Sequence, residues 1–241
     1  MEIIAHRAAS GGRRRPASAQ SLARALSGRA DRVELDVFLI SGRLVIAHDR
    51  EDASLPGQLT LDDALAAIGP SGRGLLADIK GDGAARPLGA ALAATGLAGR
   101  TIVCGELAAV GQAGLSAGVT RAWTLPTERW PAHRRDPENA PRAPAGPIGL
   151  VTPRAGRRLE RAVVEGLATG RCDAVCVERR FIGPSLVCAV HKAGGRLLAW
   201  TVDRPSEARR LAGLGVDGLI TNEADTLGAF GSAGSAQWSD G

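Results

Sequence analysis

Short apolar runs alternate along this chain with stretches whose apolar residues recur every three to four positions. The runs fall near residues 2–7, 32–37, 75–80, 101–104, 120–124, 174–178, 196–202 and 217–221, each of strand length. Helical periodicity lies between them, near 19–27, 60–68, 86–96, 106–117, 155–168, 184–194 and 205–213. Thr60 supplies an N-cap oxygen to Leu61-Asp62-Asp63-Ala64-Leu65, whose first turn is acidic. Pro205 before Ser206-Glu207 gives another start signal. Strand–helix alternation predicts an α/β fold with a parallel sheet, and eight units predict a single (β/α)8 TIM barrel. A turn at Ser41-Gly42 folds residues 43–48 back as a small hairpin after strand 2, which carries His48 toward the barrel mouth. Residues 125–147, rich in Pro, Arg and Ala, make a long loop after strand 5. It reads either as a lid or recognition loop or as a mobile insertion. The barrel is expected over residues 1–226, and residues 227–241 read as a disordered tail.

Three of the apolar runs carry residues that a strand core would reject. Val33-Glu34-Leu35-Asp36-Val37 places Glu34 and Asp36 on one face at period two. Two carboxylates side by side repel, and their burial is costly without compensation. A hard divalent cation with oxygen ligands is a common compensation; a solvated strand face is the alternative. The neighbouring runs argue for the cation. The first ends in His6-Arg7 and the third in Asp78-Ile79-Lys80. Polar groups at the C-terminal ends of several strands are the pattern of a barrel active site.

Composition narrows the function classes. With 241 residues, of which 44% are apolar, the chain fits one barrel of about 250 residues. It has no run of 18 apolar residues, so no membrane insertion is expected. A strand pattern from residue 2 leaves no room for a leader, and cytoplasm is the expected location. Cys104, Cys172, Cys176 and Cys188 lack paired metal-ligand spacing and read as small core residues in a reducing compartment. The net charge of +5 raises nucleic acid as a partner, but the basic residues are dispersed. Three Phe and no Tyr leave few stacking platforms, so no nucleic acid partner is expected. Of the 30 basic residues only Lys80 and Lys192 are lysines. Where arginine is this favoured, a retained lysine at 80 points to a need for a compact ammonium. Lys192 reads as surface.

The motifs in order, His6-Arg7, Glu34-x-Asp36, His48-Asp49, Asp78-x-Lys80, Trp200-Thr201-Val202-Asp203 and Val216-Asp217-Gly218-Leu219-Ile220-Thr221-Asn222, resemble the glycerophosphodiester phosphodiesterase family, a phosphatidylinositol-phosphodiesterase-like TIM barrel. The resemblance runs from about residue 3 to about residue 225. It implies a divalent metal and hydrolysis of a phosphodiester to a phosphomonoester and an alcohol. Three departures stand out. The family's H-R-G is His6-Arg7-Ala8, its acidic P-E-N-T or P-E-N-S motif is absent from residues 15–21, and its third metal Glu is Asp78. Pro137-Glu138-Asn139 lies far downstream and is read as coincidence.

On this resemblance Glu34, Asp36 and Asp78 hold one divalent cation, Mg2+ or Ca2+. Arg7 and Lys80 place positive charge at the phosphate. His6 and His48 form the acid–base pair, since imidazole titrates near neutrality. Trp200 reads either as an apolar wall for the alcohol group or as a barrel-core residue. Attack by a substrate 2-hydroxyl through a cyclic phosphate, and direct attack by water, both remain open. The expected activity is metal-dependent hydrolysis of a small-molecule glycerophosphodiester to glycerol phosphate and an alcohol, a reaction of lipid and glycerol metabolism. The alternatives are a phosphodiesterase or phospholipase-D-like lyase acting on a lysolipid or specialised metabolite, and a non-catalytic barrel binding a phosphate ligand.

Overall fold

The computed structural model describes residues 1–9, 17–81, 83–111, 115, 117–125 and 153–232. Eight parallel strands close into a barrel. They are β1 (Glu2–Ala5), β2 (Arg32–Ile40), β4 (Gly74–Lys80), β5 (Thr101–Gly105), β6 (Thr120–Thr124), β7 (Ala174–Glu178), β8 (Arg196–Trp200) and β9 (Gly218–Thr221). Closure comes at β1, which pairs with β2 on one side and β9 on the other. β3 (Arg43–Ile46) folds back antiparallel on the outer half of β2, opposite Val37–Ile40. Helices α1 (Ala19–Ser27), α2 (Arg50–Ala53), α3 (Leu61–Ser71), α4 (Ala85–Thr95), α5 (Leu107–Val110), α6 (Pro153–Ala168), α7 (Pro184–Lys192), α8 (Pro205–Gly213) and α9 (Ala224–Ser232) connect the strands or follow them. None of the described helices is long and apolar enough to cross a membrane.

The strand period of two explains both layers of the core. Outward residues such as Val33, Leu35, Leu75, Ala77, Val103, Val175, Val177, Leu197 and Leu219 pack in one large cluster with Leu22, Leu65, Leu88 and Leu211 of the helices. The inward residues Ile4, Leu76, Ile102, Ala122, Ala174, Leu198 and Ile220 fill the barrel. Continued two residues toward the C-terminal end, these inward rows change character. Ile4 leads to His6, Leu76 to Asp78 and then Lys80, Ile102 to Cys104, and Ala122 to Thr124. Ala174 leads to Cys176 and Glu178, Leu198 to Trp200, and Ile220 to Asn222. The bottom of the barrel is a hydrophobic plug, and polar groups gather at the top.

Helix starts follow local chemistry. Ser18 caps α1 with a reciprocal Ser18–Ser21 box, and the Thr60 side chain accepts from Asp63 N–H at α3. Pro184 and Pro205 open α7 and α8. The expected helix at 106–117 is cut to Leu107–Val110, because Gly111 ends it in a glycine-containing stretch. β1 stops at Ala5, and His6–Ala8 form a 3-10 turn instead of continuing the strand. Helix α9 spans Ala224–Ser232, across the expected boundary at residue 226. Leu227 of that helix is buried against the barrel's outer core. The expected tail beyond 232 and the loop expected at 125–147, apart from Leu125, lie outside the described residues.

Candidate active site

The inward rows end in a cavity of about 600 Å³ at the C-terminal mouth of the barrel. His6, Arg7, Glu34, Asp36, Asp78, Lys80 and Trp200 all line it. Seven of the eight side chains expected from the sequence are thus brought together. His48 is the exception. Its side chain is exposed and does not line the cavity. The hairpin does return the chain to the rim, since Ala47 N–H donates to the Asp36 carbonyl at 3.2 Å. Asp49 then turns away to cap α2, and His48 is left facing solvent.

Glu34 and Asp36 are buried, and register pairs Asp36 with Asp78 across β2 and β4. One ligand atom from each of the three carboxylates lies within 4.8 Å of the others. Among the described residues, this is the group of side chains suited to hold a metal ion. Burial pushes the Glu34 carboxyl well up, and the charges of Asp36 and Asp78 push it further. Asp78 is also raised, chiefly by burial, although Lys80 pulls against the shift. Burial alone would lower the Lys80 ammonium, but Asp78 and Asp36 outweigh it and hold it firmly protonated.

Two cations answer the three carboxylates. Lys80 Nζ bridges the pair, donating to Asp78 Oδ2 and lying 2.9 Å from Asp36 Oδ1. Arg7 Nε donates to Asp36 Oδ2 at 3.3 Å. Arg7 also lies in the left-handed region, with φ 51° and ψ 36°. That conformation costs a non-glycine residue about 1–2 kcal/mol. It accompanies a 2.7 Å hydrogen bond from Arg7 N–H to Glu34 Oε2. With all three carboxyls ionised, as metal ligation requires, the cluster sets three negative charges against two fixed positive ones. A divalent cation would bring the sum to +1, which a phosphodiester monoanion would neutralise. The oxygen donor set suits a hard ion such as Mg2+ or Ca2+.

His6 is oriented from the far side of the barrel. Asn222 Nδ2 donates to Asp203 Oδ2 at 2.9 Å, and Asn222 N–H donates to Asp203 Oδ1 at 2.8 Å. A carboxylate only accepts, so the amide nitrogen of Asn222 must face Asp203 and its oxygen must face His6. His6 Nδ1 lies 3.0 Å from that oxygen and is the donor. Nε2 is thereby directed into the cluster, 4.0 Å from Glu34 Oε2. Asp203 and Asn222 were visible in the sequence as motif residues, yet their link to His6 spans 216 positions and needs the closed barrel.

Trp200 packs on the barrel-interior cluster and also lines the cavity. Cys104, Cys176, Thr124 and Glu106 also line the cavity and carried no site assignment from the sequence. Cys104, Cys172 and Cys176 are buried as expected, whereas Cys188 is exposed on α7. Glu178, at the end of β7, is almost fully buried. Arg179 Nη1 donates to it at 3.0 Å and Arg180 Nε at 2.8 Å, and it does not line the cavity.

Part of the chain and its whole fold are similar to known proteins. Residues 131–226 match the model of the glycerophosphoryl diester phosphodiesterase family. A glycerophosphodiester phosphodiesterase of Caldanaerobacter subterraneus is 46% identical over 44 residues, 18% of this chain and 18% of that protein. A solved glycerophosphodiester phosphodiesterase of Parabacteroides distasonis superposes with a TM-score of 0.70 at 18% identity, over 96% of this chain and 98% of that one. A phosphodiesterase of Oleispira antarctica, solved with its product sn-glycerol-3-phosphate, superposes with a TM-score of 0.64 at 20% identity, over 95% and 96% of the two chains. The matched segment supplies Trp200, Asp203 and Asn222, and the carboxylate cluster lies in the half before it. The family match thus covers the second part of the chain, and the solved phosphodiesterases share its closed barrel.

Proposed function

We propose that this protein hydrolyses a small glycerophosphodiester to glycerol phosphate and an alcohol, with one divalent cation held by Glu34, Asp36 and Asp78. One observation carries the reading. Three carboxylates within 4.8 Å of one another share a cavity with His6, Arg7 and Lys80 at the strand ends of the barrel. The product complex of the Oleispira antarctica phosphodiesterase supports glycerol phosphate as the product class.

The bound cation would supply Lewis acidity at the phosphoryl oxygens. The chain's own residues do the rest. Arg7 and Lys80 hold negative charge at the cluster and keep the phosphodiester in register with it. His6, fixed as its Nδ1–H tautomer by Asn222 and Asp203, presents Nε2 to accept or return a proton at the reacting oxygen. Trp200 provides an apolar wall for the organic portion of the substrate. His48 carries the second proton transfer only if its side chain swings over the rim from its exposed position.

The experiment is hydrolysis of a panel of glycerophosphodiesters by the purified protein, with detection of glycerol phosphate, in chelator and then with Mg2+ or Ca2+ restored. Activity is expected to vanish in chelator and return with the metal. Binding of substrates without turnover under any metal would make the chain a phosphate-binding barrel. Full activity in excess chelator would remove the cation from the reaction.

A further inference from the structure

One proton transfer of the proposed reaction lacks a group inside the cavity. His6 serves one reacting oxygen, and the exposed His48 does not line the cavity. Among the described residues, one acid outside the carboxylate cluster does line it, Glu106. The inward row of β5 runs through Ile102 and Cys104 to Glu106, the first residue past the strand. Gly105 just before it has φ 156°, and Ile79 Cγ1 of β4 lies 2.8 Å from where a Cβ would stand. A side chain there would push β5 off β4, so the glycine keeps Glu106 close to the strand that carries Asp78 and Lys80. Glu106 occupies the N-cap position of α5, yet its side chain does not cap the helix, and the residue is exposed.

Barrel order supplies the geometry. The strands run β1, β2, β4, β5 around the wall. The three carboxylates stand on β2 and β4, with His6 after β1 on one flank and Glu106 after β5 on the other. Three strand spacings of ~4.8 Å separate β1 from β5 along the wall, so an imidazole and a carboxylate reaching inward from the two flanks leave room for a phosphoryl group between them. Phosphoryl transfer sets the attacking and leaving oxygens roughly in line through phosphorus. A group on each flank therefore meets one oxygen each.

We propose that Glu106 is the second proton-transfer residue of this site, the general base at the attacking oxygen, with His6 opposite it as the acid. The O–H bond of the attacking water or substrate hydroxyl breaks as its oxygen bonds phosphorus, and the proton passes to the Glu106 carboxylate. The P–O bond to the alcohol breaks, and that oxygen takes a proton from the imidazolium at His6 Nε2. No oxidation state changes, and solvent restores both groups. The assignment rests on the hydrolase reading.

Full-length protein is assayed with Mg2+ on two glycerophosphodiesters, one with an unactivated alcohol and one with nitrophenol as the leaving group. Glu106→Gln should lower kcat about a hundredfold on both, with KM within about threefold, because neither leaving group replaces a base. His6→Ala should lose as much on the first substrate but about tenfold or less on the second, whose leaving oxygen needs no acid. Calorimetric affinity for sn-glycerol 3-phosphate should be the same in Glu106→Gln and the parent. If Glu106→Gln melts below the parent, formate decides the case, since a small carboxylate should restore about tenfold or more of the turnover of Glu106→Ala. A Glu106→Gln kcat within threefold of the parent's, or a Glu106→Ala that formate does not rescue, overturns the assignment. So does a loss that appears only in KM and only for one alcohol, which would make Glu106 a contact for that alcohol. A loss that disappears with nitrophenol would make it an acid and overturn the base role. A parent that hydrolyses neither diester sinks the hydrolase reading and this assignment with it, whereas an active parent beside an active Glu106→Gln sinks the assignment alone.

Discussion

Removing the ammonium of Lys80 tests how the three carboxylates are held together. In Lys80→Met the chain length is roughly kept and one of two cations is lost. Nζ lies 2.9 Å from Asp36 Oδ1 and also bonds Asp78. At an effective dielectric of about 20, a unit pair at that distance is worth roughly 6 kcal/mol before desolvation. The Lys80 side chain is 35% exposed, so water screens part of this. Lone-partner removal at buried pairs costs about 3–5 kcal/mol, and the screening brings the expected loss to about 2–3 kcal/mol. For a chain of this length that is a Tm decrease of roughly 5–10 °C, read by thermal unfolding in chelator. The variant's carboxylates then carry three charges against one. Mg2+ or Ca2+ should therefore raise its Tm by more than it raises the parent's, even as turnover falls at least a hundredfold. Lys80→Arg keeps the charge but replaces a compact ammonium with a planar fork, and it should lose turnover almost as badly with a smaller Tm penalty. A Lys80→Met protein as stable as the parent in chelator, or one that responds less to the metal, would refute this account of the cluster. A fully active and stable Lys80→Arg would take Lys80 out of the site.

His6→Ala should lower turnover about a hundredfold or more, and Asn222→Ala about tenfold with KM little changed, because it frees the imidazole tautomer without removing the ring; steady-state kinetics of both variants checks this. His48→Ala and His191→Ala, measured side by side, separate a two-histidine mechanism from a one-histidine one. His191 bonds Asp217 on the molecular surface and should change turnover by no more than a few-fold. Glu2 governs an acid-side effect at the barrel floor. Burial would raise its carboxyl, but the hydrogen bonds and charges of Arg32 and Arg196 outweigh that and hold it below 4.5. A depressed folded value means that stability is present above the unfolded value and lost as pH falls through the folded one. Glu2→Gln should therefore lower Tm at pH 7, and its deficit should shrink to nothing in strong acid; a deficit independent of pH would contradict the ion-pair origin.

Much of the fold was legible because the strand period speaks directly through the residues. Runs such as Ile102-Val103-Cys104 and Leu197-Leu198-Ala199 are apolar on both faces, as strands between a barrel interior and a helical layer must be. The same period placed Glu34 with Asp36 and Asp78 with Lys80, because alternation alone decides which residues share a face. Sequence could not decide what those faces meet. Asn222 and His6 lie 216 residues apart and touch only because β9 pairs with β1. Cys104 and Cys176 share the barrel interior only because closure turns the inward rows of β5 and β7 to the same enclosed side. His48 shows the converse. Its hairpin was visible in Ser41-Gly42, but the direction of its side chain depends on where the chain leaves the rim to let Asp49 cap α2. Local periodicity determines which face a residue occupies; closure of the barrel and the paths of its rim loops decide its neighbours, because those depend on contacts between segments far apart in the chain.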